Sequence, residues 1–156
     1  MKIFLFTLTL FCTLTASSQQ EQQLITEAMR QEAAFNEAAA LDKLTQVLKT
    51  QPNNYFALWK SSELYSRLGI SQSTKQRQLA YYNRGRQLAE QAIKAQPNDA
   101  EGYYVLAVAM GRLALASPAK EKIAAVKAIK ENAEKALRLN PNHGRAWHVL
   151  GKCITK

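Results

Sequence analysis

Three prolines dictate what this chain is able to fold into. They sit in "QPNN" at 51–54, "QPND" at 96–99 and "NPNH" at 140–143, so Pro52 and Pro97 are 45 residues apart and Pro97 and Pro141 are 44 apart. A proline has no N–H and a fixed φ, so each one ends a helix, and the Asn or Asp after it is suited to cap the next. Aligned on the prolines, the rest of the chain falls into register. Val47, Ala92 and Ala136 precede them by five residues, followed by Leu48, Ile93 and Leu137. Leu58, Tyr103 and Trp147 follow by six residues; Trp59, Tyr104 and His148 follow by seven. The small residues Ser62, Ala107 and Gly151 then recur together. A period of this length marks stacked supersecondary units, each burying its neighbour's apolar face.

The units are helical. After residue 19 the chain is rich in Ala, Gln, Leu, Glu and Lys, apolar residues recur at three and four, and no stretch alternates convincingly. The opening "MKIFLFTLTLFCTLTASSQQ" stands apart: one cation, an uncharged apolar run from Ile3 to Leu14, then Ala16, Ser17 and Ser18. That is the form of a secretory signal peptide, too short for a stable membrane span. Residues 1–18 are therefore expected to be a leader and 19–156 the helical domain, exported to the periplasm or secreted. Without Cys12 only Cys153 is left, so no internal disulfide staples the domain. Charge is uneven. Residues 19–54 hold five acids against three bases, net −2, while 55–156 hold seventeen bases against seven acids, net +10. Such asymmetry suits an anionic partner or simply solubility.

The "WHVLG" at 147–151 resembles the Trp-x-x-Leu-Gly core of the tetratricopeptide repeat. The resemblance implies an all-α, right-handed α-solenoid of antiparallel helix pairs, with about three lengthened repeats. The extra length falls in "GISQSTKQRQLAY" (69–81) and "SPAKEKIAAVK" (117–127), extending the second helix of a pair at its start. There Ser117 reads as an N-cap and Pro118 as the first helical residue. The long Ala-rich first helix, "KEKI", and "IKENAEKALRLNP" before "WHVLG" are similar to the repeats of the regulator of microtubule dynamics family. The similarity is good over 89–152 and loose over 36–88. Relatives continue with further helices where this sequence reads "GKCITK", which implies an uncovered apolar face on the last helix.

By the same resemblance, the second, fifth, ninth and twelfth positions of each unit line a concave surface. They read Phe56, Trp59, Glu63 and Ser66; Glu101, Tyr104, Val108 and Arg112; Arg145, His148, Lys152 and Thr155. The expected groove is aromatic at one end and cationic at the other, and aromatic anchors beside arginine are what interface hot spots are made of. The competing reading packs Trp59 and Tyr104 against the lengthened second helices. The Lys and Asn pattern with which some relatives clamp a terminal carboxylate is missing, since the fifth positions hold Trp59, Tyr104 and His148.

The basic helix starting at Pro118 gathers Ile123, Val126, Ile129, Ala133, Ala136 and Leu137 on one side, and Lys127/Glu131, Glu131/Lys135 and Glu134/Arg138 as four-apart pairs. It reads as a solvated face. Chemistry finds no foothold. His143 and His148 point apart on a continuous helix, no cysteine pair completes a metal site, and no phosphate loop or nucleophile elbow occurs. No catalytic residue, metal or cofactor is assigned. The reading is a non-enzymatic protein-binding module, a scaffold or adaptor taking a peptide or partner helix in its groove. The alternatives are a microtubule-associated regulator, as the family resemblance implies, and an assembly subunit docking through its last helix, with homo-oligomers possible. Nucleic acid fits poorly, because the basic residues are interleaved with acids.

Overall fold

A computed structural model describes residues 4–154, with side-chain surroundings from Ser18 to Cys153 apart from 119–121 and 123. Seven α-helices follow one another: α1 (Phe4–Ala33), α2 (Glu37–Thr50), α3 (Tyr55–Leu68), α4 (Lys75–Ala95), α5 (Ala100–Ala116), α6 (Ala119–Leu139) and α7 (Gly144–Ile154). A single 3-10 turn, Gly69–Ser71, joins α3 to α4, and no strand occurs among the described residues. The proline corners fall between α2 and α3, α4 and α5, and α6 and α7, as the 45/44 spacing requires. The proposed leader boundary at residue 18 lies inside α1, and the side chains of residues 1–17 lie outside those described.

The residue two places after each proline caps the next helix. Asn54 accepts a hydrogen bond from the Ala57 N–H at 2.9 Å and Asp99 from the Glu101 N–H at 2.9 Å. At the third corner a histidine does the work: His143 Nδ1 accepts from the Ala146 N–H at 3.1 Å. The sequence expectation at Ser117 needs correcting. Ser117 is extended and its hydroxyl donates to the Leu113 carbonyl at 3.0 Å, so it closes α5. Pro118 stays extended at ψ 156°, and α6 begins one residue later with no side-chain cap.

Each helix packs on the next in sequence, and the first helices α3, α5 and α7 also touch one another. The second helices make no comparable contacts among themselves, so the stack curves with its first helices inside. This is an α-solenoid of tetratricopeptide-like pairs. The core runs through it in three linked clusters. Leu44, Val47 and Leu64 fill one around α2 and α3; Leu58, Leu88 and Ala92 fill the next; Val105, Ala133, Ala136, Leu137 and Leu150 fill the last. Burying each of these leucines stabilises the fold by roughly 1.5–3 kcal/mol. Small residues set the crossings. A Cβ on Gly85 would stand 3.1 Å from the Ser62 carbonyl and 3.3 Å from Ser66 Oγ, so α3 and α4 approach backbone to backbone.

On α6 the apolar side holds Ile129, Ala133, Ala136 and Leu137 inside, while Val126 is exposed, because it lies in the lengthened N-terminal part. Of the expected charge pairs, Lys127 and Glu131 stand at 4.0 Å. Lys130 takes Glu134 at 3.8 Å, and Lys135 turns instead over the Tyr103 ring at 5.7 Å.

Candidate functional site: the concave face of the first helices

The curved stack brings α1, α3, α5 and α7 to one face, and a ladder of alternating charge crosses it. Its outer rung joins α1 to α3. Glu32 bonds both Lys60, at 3.0 Å, and Arg67, and Arg67 also reaches Glu37 at 3.0 Å. Burial works to raise the Glu32 carboxyl, but the bonds from Lys60 and Arg67 outweigh it and hold it below its ordinary range. Lys60 continues to Glu63 at 3.1 Å within α3.

The inner rung is centred on Arg145. Its guanidinium donates to Glu63 of α3 at 2.7 Å and to both carboxylate oxygens of Glu101 of α5, at 2.9 and 2.8 Å. It also lies over the Tyr104 ring, 4.6 Å from the centroid. Burial opposes the charge on Arg145, yet Glu101 and Glu63 raise its affinity for the proton on balance. His143 completes the cluster from below: its ring is buried, 4.9 Å from the Tyr104 ring, with Nε2 3.3 Å from Glu101. Sequence reasoning set His143 aside; its place two residues after the proline was the signal that would have found it.

The sequence-predicted positions therefore separate into groups. Glu63, Glu101, Tyr104 and Arg145 converge on the inner rung. Tyr104 is buried there, a floor under Arg145. Phe56 and Trp59 form an edge-to-face pair at 5.2 Å, half-buried beside the outer rung, with Lys60 5.1 Å from the Trp59 ring. Val108 is half-buried against the third core cluster. Arg112 is half-buried, His148 and Lys152 are exposed, and none of the three joins an ion pair among the described residues. Ser66 is buried at the α3–α4 crossing rather than on this face, and Thr155 lies outside the described residues.

Tyr55 also escaped the sequence reading. Its hydroxyl donates to Asp99 at 2.6 Å and accepts from the Gly102 N–H at 3.1 Å, pinning the start of α3 to the start of α5. Burial, with the Asp99 carboxylate beside it, pushes its phenol well above the ordinary value. On the last helix, Trp147 is 55% exposed, whereas its register equivalent Leu58 is fully buried against α4. No group of three or more His, Cys, Asp or Glu side chains among the described residues is arranged to hold a metal ion. Nor is any described helix long and apolar enough to cross a membrane.

Residues 17–153 match the family described as regulator of microtubule dynamics protein 1-3. The chain belongs to that family. No curated protein matches it. Among solved structures, this family member is similar to a thermophilic tetratricopeptide-repeat protein of Thermus thermophilus, at TM-score 0.74 and 19% identity over 86% of this chain and 64% of that one. It is similar to the second such domain of human RPAP3, solved with the HSP70 peptide SGPTIEEVD, at TM-score 0.69 and 14% identity over 90% and 99% of the two chains. The first such domain of Spaghetti (RPAP3), solved with the HSP90 peptide SRMEEVD, gives TM-score 0.68 and 18% identity over 88% and 93%. At these identities the likeness shows the fold that this regulator of microtubule dynamics family member adopts.

Proposed function

We propose that this protein is an exported, non-enzymatic adaptor whose concave face holds an extended peptide or a partner's helix. The observation that carries the reading is the layout of that face. Phe56 and Trp59 of α3 offer a half-buried apolar step, and Arg112 of α5 and His148 and Lys152 of α7 have no carboxylate partners among the described residues. Between them Arg145 already engages both Glu63 and Glu101. A segment with an apolar anchor followed by acidic residues complements this order of groups. Two proteins of the same fold carry peptides in their solved structures, which supports a peptide-sized groove. Their acidic chaperone tails are not the expected ligand, because the fifth positions here hold Trp59, Tyr104 and His148.

Export rests on the apolar run Ile3–Leu14 and the small residues after it. The first residue of the mature protein from its native host is expected to be Gln19. For the groove, a photo-crosslinking residue placed at Phe56 or Arg112 should trap the same partner, while one at Arg84, on the outer helix α4, should not. Trapping from Arg84 alone would move the binding face to the outside of the stack. Family membership favours a second reading, a microtubule regulator whose cationic surface meets acidic tubulin tails. Salt-sensitive co-sedimentation with microtubules, together with an intact Met1, would establish it in place of the first. The half-exposed Trp147 supports a third, docking of α7 against a second copy, which a concentration-dependent mass in light scattering would reveal.

A further inference from the structure

Large apolar side chains stand in solvent along one edge of the stack. Because Glu21 reaches Asn54 while Glu32 reaches Arg67, α1 and α3 run parallel, and Tyr55 joins the starts of α3 and α5 in the same sense. The ends of α1, α3 and α5 therefore share an edge, with neighbouring helices about 10 Å apart. On that edge lie Met29 (54% exposed), Phe35 (93%), Ile70 (52%) and Leu115 (64%). On the opposite edge, with its proline corners, Trp147 alone is comparable among the described residues.

Phe35 is unusual in conformation as well as exposure. The Asn36 N–H bonds the Gln31 carbonyl and the Phe35 N–H bonds that of Glu32, both at 2.9 Å, a Schellman ending. Phe35 occupies its left-handed position at φ 59°, where glycine is the usual residue. An aromatic ring kept in a disfavoured conformation with nothing packed on it points to use outside the fold.

The charges of this edge differ from those of the ion-pair ladder. In the ladder, Lys60, Arg67 and Arg145 each hold a carboxylate. At the edge, Lys75 and Arg77 of α4 and Lys122 of α6 pair with none among the described residues. The first turn of α4 holds two of these cations and no acid, against the sense of the helix dipole. Carboxylates near Phe35 are already engaged, Glu32 and Glu37 by Lys60 and Arg67.

The geometry points to this edge as a docking surface for an anionic phospholipid bilayer. Apolar side chains at separate turn tips, divided by Ser71, Ser73, Thr74 and Ser117, do not form the continuous stripe that a partner helix needs. They suit shallow insertion among lipid headgroups, with the unpaired cations in the same plane meeting phosphate. Such contact is reversible and needs no spanning segment.

The full-length chain would be sedimented with phosphatidylcholine vesicles and with vesicles containing phosphatidylglycerol at about one lipid in three. The expected result is binding to the anionic vesicles that fades with salt. It should weaken about tenfold in a Phe35→Asn, Leu115→Ser variant, since each lost tip removes buried apolar area. Phe35→Asn suits the left-handed backbone, and unchanged helical circular dichroism verifies the fold. Lys75→Gln, Arg77→Gln and Lys122→Gln together should abolish the preference for phosphatidylglycerol. Equal binding to both vesicle types, or binding untouched by the tip substitutions, would trace adsorption to the apolar run 3–14 and overturn the assignment. Tighter binding to poly-glutamate or tubulin than to anionic vesicles would overturn it too, in favour of an acidic protein.

Discussion

Replacing Tyr55 with Phe isolates one oxygen atom that joins two repeats. The hydroxyl donates to the Asp99 carboxylate at 2.6 Å and accepts from the buried Gly102 at 3.1 Å. Tyr55 is only half-buried, so the charged bond contributes toward the lower end of about 1.5–3 kcal/mol. The Gly102 N–H, in the first turn of α5, loses its acceptor, and Asp99, the N-cap of that helix, is the group suited to take over part of that role. The expected loss is about 2 kcal/mol. For a domain of this size that lowers the melting temperature by about 6 °C. Tyr103→Phe is the control, since its hydroxyl makes one exposed bond to the Pro97 carbonyl and its removal should cost no more than about 0.5 kcal/mol. Urea titrations of both variants, and of Asp99→Ala alone and combined with Tyr55→Phe, give the loss and the coupling. A pH signature accompanies it. The phenol is raised in the folded state, so its contribution is complete below the unfolded value near 10 and is lost above it. Stability should therefore fall more steeply above pH 10 in the parent than in Tyr55→Phe. A Tyr55→Phe variant indistinguishable from Tyr103→Phe would refute the account of how α3 and α5 are joined.

Arg145→Ala should cost about 1–2 kcal/mol, reduced by solvent because the side chain is 46% exposed, and a double-mutant cycle with Glu63→Gln should return a nonzero coupling that shrinks in salt. The Glu32 carboxyl is lowered in the fold, so its stabilisation is complete above the unfolded value near 4.3 and disappears as pH falls below it; Glu32→Gln should flatten that acid limb in denaturant titrations. Gly69→Ala should cost about 1–3 kcal/mol, because the new Cβ would stand 2.3 Å from a carbon of the buried Tyr82 ring; thermal melts report it. Phe35→Gly should instead raise stability by about 0.5–1 kcal/mol by relieving the left-handed backbone, measured in the same way.

The architecture was legible because proline, cap and small-residue positions each repeat on one period, so Pro52, Pro97 and Pro141 alone located three corners. Val47, Leu58 and Ala136 were legible as core for the same reason. What escaped was the traffic between repeats. Nothing in the local sequence of Arg145 indicates that two carboxylates, 82 and 44 residues earlier, converge on it. Tyr55 precedes the aligned positions and its partners lie in the next repeat. Ser66 matched an inward position by register, yet the approach to Gly85 turned it toward the neighbouring helix. Ser117 looked like a cap because its neighbour is proline, but the preceding helix claimed it first.

In an array of stacked hairpins, each hairpin ordinarily touches only the ones beside it, and the ends come loose first. The 2.7 Å bond from Arg145 to Glu63 skips a hairpin, joining α7 to α3 of the second pair. Opening of α7 has to break a bond anchored deep in the array. Amide exchange in α7 should accordingly track that of α3 and fall out of step once Arg145 is removed.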